Sequence, residues 1–200
     1  MKKGLIAIIA IVVLVLIAGA WVAKVNNRLV PLDEGVSAQW GNVESSYQRR
    51  ADLIPNIVNT AKGYAEFEQE TLIGVIEARS KATSITIDPS NITPAQLKQF
   101  QEVQSGLSSA LSRLLAVFER YPDLKANENF KELINELERT ENRINVERNR
   151  FNDSAKALNS EIRMFPTSLA AGFLGFERRA YFEADAGSEN APEVDFDFGK

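Results

Sequence analysis

The chain has 200 residues, a formal net charge of −4, no cysteine and no histidine. The acidic balance, with no Lys/Arg cluster interleaved with aromatics, leaves no field to attract nucleic acid, and the missing cysteines exclude disulfides, thiolate nucleophiles and cysteine-ligated metals. The missing histidines exclude Ser-His-Asp triads, His-Glu zinc sites and Glu-x-x-His di-iron centres; what remains for chemistry is carboxylates, lysine, serine and tyrosine, and the expectation is a protein that is not an enzyme and uses no cofactor or metal.

Residues Leu5 to Val25 read LIAIIAIVVLVLIAGAWVAKV, an apolar run broken only by Lys24 near its end. A spanning helix needs roughly 20 apolar residues to cross ~30 Å of hydrocarbon, and Trp21 stands where an interfacial indole belongs. The other reading is a removed signal peptide, since Lys2 and Lys3 form a basic start and Ala18-Gly19-Ala20 resembles a cleavage site. The run outlasts the ~7–15 residues of a signal core, which favours a retained anchor in the cell membrane, in contact with its lipid bilayer. Lys2 and Lys3 on one flank and Lys24 and Arg28 on the other nearly balance the positive-inside rule. The signal-like start tips the expectation toward an extracytoplasmic bulk domain. The boundaries read as residues 1–28 for the anchor, 29–183 for a helical domain and 184–200 for a mobile acidic tail.

Beyond the anchor, apolar residues recur every three to four positions and strand-like alternation is absent, so the fold class is all-α. A first helix is predicted from about Asp33 to Lys81, with a seam through Val36, Trp40, Val43, Tyr47, Arg50, Ile54, Ile57, Ala61, Tyr64, Glu68, Thr71, Val75 and Ala78. Pro55 lies inside it and predicts a kink near Ala51 and Asp52. Ile85 to Asn91 is a loop, marked by Asp88-Pro89-Ser90-Asn91. The second helix opens with Thr93 as N-cap, Pro94 at the first turn and Gln96 completing a capping box, with Ile92 and Leu97 placed as a hydrophobic staple. Its seam runs Leu97, Phe100, Gln104, Leu107, Leu111, Leu114, Phe118, and Tyr121-Pro122-Asp123 breaks it. A third helix runs from about Asn127 to Phe165. Phe130, Leu137, Ile144, Phe151, Leu158 and Phe165 keep a seven-residue spacing, the pattern of left-handed, coiled-coil-like packing among antiparallel helices. Thr167 to Phe176 offers a short fourth. The expected architecture is an N-terminal transmembrane helix followed by an elongated antiparallel bundle of three long helices with a possible short fourth.

Each long helix carries polar residues where its seam calls for apolar ones: Arg50 and Glu68, then Gln104, then Glu141 and Arg148. Around them stand Arg49, Asp52 and Pro55 on the first helix and Asn142 on the third. Three readings are open. Buried polar groups fix register at a cost in stability; curved helices let such side chains reach solvent; or the layer binds a ligand. The Phe and Leu seams read as core, and the tail residues Asp195-Phe196-Asp197-Phe198 as solvated or as a segment that docks in a basic groove.

The block Ser37-Ala38-Gln39-Trp40 through Tyr47-Gln48-Arg49-Arg50-Ala51-Asp52-Leu53-Ile54-Pro55-Asn56, continuing to Lys62-Gly63-Tyr64-Ala65, resembles the LemA family. So do Tyr121-Pro122-Asp123-Leu124-Lys125-Ala126-Asn127 with Phe130, the stretch Glu138 to Ile144, and Phe151-Asn152, Phe165-Pro166, Gly175-Phe176 and Tyr181-Phe182-Glu183 in that order. The resemblance covers roughly Asn26 to Glu183. It implies a membrane anchor, an elongated helical bundle usually of four helices, no established enzymatic activity, and an association with membrane quality-control metalloproteases. Many relatives carry a histidine in the segment equivalent to Ala65-Glu66-Phe67-Glu68, where this chain has Phe67. The functional expectation is a single-pass scaffold or adaptor that associates with its own copies or with a membrane metalloprotease. The alternative is a ligand or lipid sensor that uses the polar layer.

Overall fold

The computed structural model describes residues 2–63 and 68–183, and the described residues are helices joined by turns and one extended segment. The elements are α1 (Lys2–Lys62), α2 (Gln69–Thr83), α3 (Pro94–Phe118), α4 (Pro122–Ala126), α5 (Glu128–Arg163) and α6 (Thr167–Ala171). The expected acidic tail, 184–200, lies outside the described residues.

The helix expected from Asp33 to Lys81 is in fact two. α1 starts at Lys2 and runs without interruption through the apolar run and on to Lys62, a length of about 90 Å at 1.5 Å per residue. The chain turns at Gly63, whose amide donates to the Thr60 carbonyl at 3.2 Å, and a Cβ there would stand 3.3 Å from that same oxygen. After this turn α2 doubles back along α1. The apolar period does not stop at the break, because α2 presents the same kind of stripe to the same core, and so periodicity alone reads through it.

Pro55 does not end α1. It has no amide to give, so the carbonyl of Ala51, four residues earlier, loses its helical donor. Arg79 of α2 supplies the replacement, its Nε donating to the Ala51 oxygen at 2.7 Å. The predicted start of α3 is present in full: Thr93 Oγ1 accepts from the Gln96 amide, Gln96 Oε1 accepts from the Thr93 amide, and Ile92 and Leu97 are buried.

Contacts along the helices set their directions. Arg28 meets Glu161 and Arg49 meets Glu136, so α5 runs antiparallel to α1. Trp40 meets Phe100 while Arg50 meets Ser108, so α3 runs parallel to α1, and α2 runs antiparallel to both. The result is an up-down-up-down bundle of α1, α2, α3 and α5. Its interior falls into two apolar clusters. One surrounds Trp40, Phe100, Phe151 and Leu158 and reaches down to Val25 and Leu29. The other surrounds Ile54, Leu72, Leu111 and Phe130. Of the heptad on α5, Phe130, Leu137, Ile144, Phe151 and Leu158 are buried, but Phe165 is not: α5 ends at Arg163 and Phe165 is 81% exposed.

After α6 the chain reverses. Gly175 takes φ 81°, the left-handed value that favours glycine. The Phe176 amide donates to Ala171 at 3.0 Å and the Gly175 amide to Gly172 at 3.2 Å, which closes a Schellman turn. Residues 177–183 then run extended across the bundle surface.

If Arg79 serves the carbonyl freed by Pro55, Arg79→Met lowers the unfolding free energy by about 1–2 kcal/mol, the cost of a stranded acceptor. In a Pro55→Ala background the amide of residue 55 reclaims that carbonyl, and the same substitution costs less. Urea unfolding of the four proteins measures this, and an equal loss in both backgrounds refutes the pairing.

Candidate functional site

The boundary between the two apolar clusters is polar, and Arg50 occupies its centre. The side chain projects from α1 and is 1% exposed. Nη1 donates to Ser108 Oγ on α3 and to Glu141 Oε1 on α5, each at 2.8 Å. Nη2 donates to Gln104 Oε1 at 2.6 Å and to the Gln104 carbonyl at 3.3 Å. The guanidinium carbon lies 5.1 Å from the centre of the Tyr47 ring, within cation–π range. Gln104 in turn donates from Nε2 to the Ala82 carbonyl on α2 at 3.2 Å. One buried charge therefore reaches all four bundle helices. Its counter-charge, Glu141, is 36% exposed, so the pair sits at the wall of the core rather than in its middle.

Beside this layer lies a small polar cleft between α3 and α5, about 140 Å³, bordered by Gln101, Ser105, Asn145 and Arg148 as well as Arg50 and Glu141. Arg148 is at its edge, where Nη2 donates to the Glu183 carbonyl at 2.8 Å and the guanidinium stacks over Phe182, 5.1 Å from the ring centre. The other expected residues go elsewhere. Arg49 is exposed and pairs with Glu136 at 2.6 Å. Asp52 accepts from Gln48 one turn earlier, at 2.8 Å. Asn142 is exposed on α5. Glu68, placed in the seam by its spacing, is exposed at the start of α2 and pairs with Arg120 at 2.9 Å, one end of the bundle away from Arg50. Thus Arg50, Gln104 and Glu141 converge; Glu68 does not join them.

A second polar system was not anticipated. Asn152 Nδ2 donates to the Phe182 carbonyl at 3.0 Å while its Oδ1 accepts from the Phe182 amide at 2.8 Å. Asn159 does the same for Arg179, at 2.8 Å in both directions. Each amide side chain stands in for a neighbouring strand. The two asparagines are separated by about 10.5 Å along the helix axis, and the residues they hold by about 10 Å along an extended chain, so the rungs match. The strap carries Phe182 onto Trp40, ring centres 6.0 Å apart and nearly parallel, and onto Phe151 at 5.4 Å. Arg179 ties it further to Asp33 at 2.7 Å and to the Ser90 carbonyl at 2.6 Å. In that loop the Ser90 hydroxyl and amide hold the Asp88 carboxyl below its usual range, with Arg179 adding to the effect. A lowered carboxylate stabilises the folded loop above its ordinary titration and ceases to do so as pH falls through the lowered value. The asparagine spacing, seven residues, was the available signal; nothing in it named backbone as the partner.

Other polar groups missed by the sequence reading are Glu147 and Glu161, both buried. Glu147 accepts from Gln39 at 2.7 Å and pairs with Arg150 at 3.0 Å. Glu161 pairs with Arg28 at 2.8 Å and accepts from Thr167 at 3.1 Å.

A helix fit for a single membrane crossing, continued into a four-helix bundle whose buried polar layer bridges all four helices, defines a class of anchored helical proteins. The chain belongs to the LemA family, whose model matches residues 39–196. It is 27% identical over 174 residues to magnetosome protein MamQ 2 of Paramagnetospirillum magneticum, covering 78% of this chain and 64% of that protein. It is 30% identical over 142 residues to protein LemA of Metamycoplasma hominis, covering 71% of this chain and 61% of that one. A MamQ from Magnetospirillum gryphiswaldense is 27% identical over 175 residues, covering 78% of this chain and 64% of that protein. The chain spans less than two thirds of the length of these curated relatives.

Replacing Glu141 by leucine strands the Arg50 charge and costs about 3 kcal/mol, near the low end for a broken buried pair because solvent reaches Glu141. Adding Arg50→Met recovers most of that loss; chemical denaturation of the single and double variants gives the coupling. Strictly additive losses refute the pairing. Separately, Asn152→Ala with Asn159→Ala frees the strap: cleavage by trypsin at Arg178 and Arg179 accelerates while the thermal melt of the bundle persists. Unchanged cleavage rules out the ladder as the strap's fastening.

Proposed function

We propose that the protein is a membrane-anchored, non-enzymatic scaffold or adaptor whose bundle stands on the extracytoplasmic side. It associates with further copies of itself or with a membrane protein such as a quality-control metalloprotease. The observation that carries this reading is an open groove of about 820 Å³ on the outer face of α2 and α3. Ile73, Gly74, Val103, Gly106 and Ala110 line its apolar floor, and Ile73 is 46% exposed. Glu70, Glu77 and Glu102 stand at its rim with Lys81 and Arg113. A small-residue floor between two helices with a charged edge is the shape an added helix fits, on ridges-into-grooves packing.

The sensor reading is less well supported. Both terminal nitrogens of Arg50 are engaged by Gln104, Ser108 and Glu141, although its buried Nε has no partner, and the cleft beside them is small. The MamQ relatives are named for the magnetosome and not for a reaction, which fits an organising role better than a catalytic one.

The test is copurification after crosslinking in intact cells and mild detergent extraction. A stoichiometric membrane partner or a homo-oligomer is expected, and a lone monomer overturns the scaffold. A Cβ at Gly106 meets nothing within 4 Å, so Gly106→Phe fills the groove without entering the core. It is expected to abolish the association while leaving the thermal melt within a few degrees; persistent association moves the contact to another face. Sidedness is read by Lys125→Cys, which membrane-impermeant maleimide labels in intact cells if the bundle is extracytoplasmic and only after lysis if it is not.

A further inference from the structure

The end of the bundle nearest the apolar run carries large hydrophobic side chains that the fold does not use. Phe165 is 81% exposed, Leu169 68%, Phe173 87% and Met164 54%. They belong to one structural unit, the end of α5 with α6 and its turn. A soluble surface rarely gathers such residues without a partner for them.

The position of this unit along α1 identifies the partner. Glu161, near the end of α5, is paired with Arg28. Since α5 runs antiparallel to α1, its last residues pass the level of Val25, and α6 packs against both helices at that end. Ala170 and Ala171 of α6 are buried in the cluster that contains Val25 and Leu29, and Trp21 and Leu174 pack at that cluster's edge. Trp21 and Val25 are inside the apolar run. Residues Leu5 to Ile17, further along the same helix, face outward with their apolar side chains, 47–66% exposed where they are large. If those side chains meet lipid, a unit level with Trp21 sits at the headgroup boundary, where aromatic and aliphatic side chains partition favourably. The exposed cations Lys24 and Arg163 stand at the same level, suited to headgroup phosphates.

We infer that Phe165, Leu169 and Phe173 dip into the interfacial layer of the bilayer beside the anchor, giving the bundle a second, non-spanning membrane contact. This rests on the reading of Leu5–Val25 as a retained span. Two attachments then fix the bundle about the anchor axis: a single helix can spin in the membrane, whereas a helix with an interfacial foot presents one chosen side to its surroundings. Buried Ala170, Ala171 and Thr167 face the bundle while Leu169 and Phe173 face away, so the foot is held rigidly by its inner face.

Because the chain contains no cysteine, single labels can be placed in the otherwise unaltered full-length protein. Leu14→Cys, Leu169→Cys, Phe173→Cys and Lys125→Cys, each carrying an environment-sensitive fluorophore, are reconstituted in phosphatidylcholine vesicles with a minor phosphatidylglycerol fraction. Labels at Leu169 and Phe173 are expected to shift to the blue and lose emission to shallow lipid-borne quenchers; Leu14 responds to deep quenchers and Lys125 to neither. Aqueous-type emission at Leu169 and Phe173 with Leu14 embedded overturns the interfacial foot and leaves the anchor standing. Aqueous-type emission at Leu14 overturns both. A blue shift at Phe173 that lipid quenchers do not touch, and that fades as protein is diluted in lipid, overturns the inference in favour of a second copy covering the patch.

Discussion

A guanidinium withdrawn from water must be given acceptors, and Arg50 receives them from two other helices. The cost of desolvating that charge is recovered only when Gln104, Ser108 and Glu141 all arrive in position. A slip of α3 by one turn, about 5.4 Å, takes Gln104 and Ser108 out of position, and the same slip of α5 takes away Glu141, the counter-charge. Apolar seams tolerate such slips far better, since one leucine resembles the next. The two core clusters therefore supply the bulk of the driving force, while the layer between them selects the alignment in which they pack. Gln104 extends that selection to α2 through the Ala82 carbonyl.

Other fastenings follow from this alignment. With α5 held against α1, Asn152 and Asn159 lie where an extended chain can cross them, and Phe182 can close over Trp40. The Arg79 contact with Ala51 works the same way: α2 must return along α1 at the right height to find the carbonyl that Pro55 leaves exposed. In both cases a side chain replaces a backbone partner, which fixes position along the axis as well as distance from it.

These features differ in how far the sequence discloses them. The capping box at Thr93 was legible because all its participants lie within a few residues and interact only with one another. The heptad through Phe130 and Phe151 was legible because burial repeats with the helix. The arginine and glutamate of the central layer could be singled out as misfits, but their pairing required the helix offsets. The break at Gly63 was hidden by a period that continues across it, and the same continuation drew Glu68 into a seam it never joins. The asparagine ladder was hidden more deeply. Its partners are main-chain groups that every residue possesses, so no complementary side chain marks them. Phe165 shows the converse failure: it keeps the heptad and yet lies beyond the helix that gives the heptad meaning.

The unbroken passage of α1 from the apolar run into the bundle has a mechanical consequence. From Val25 to Lys62 the helix extends about 55 Å with no loop in it; Pro31 and Pro55 each remove one backbone hydrogen bond without ending it. Any lean of the buried segment becomes a lean of the whole domain. A tilt of about 20°, ordinary for a spanning helix, carries the distal tip sideways by about 20 Å. Such a lever converts changes in bilayer thickness, which alter tilt, into lateral displacement of the surfaces it displays.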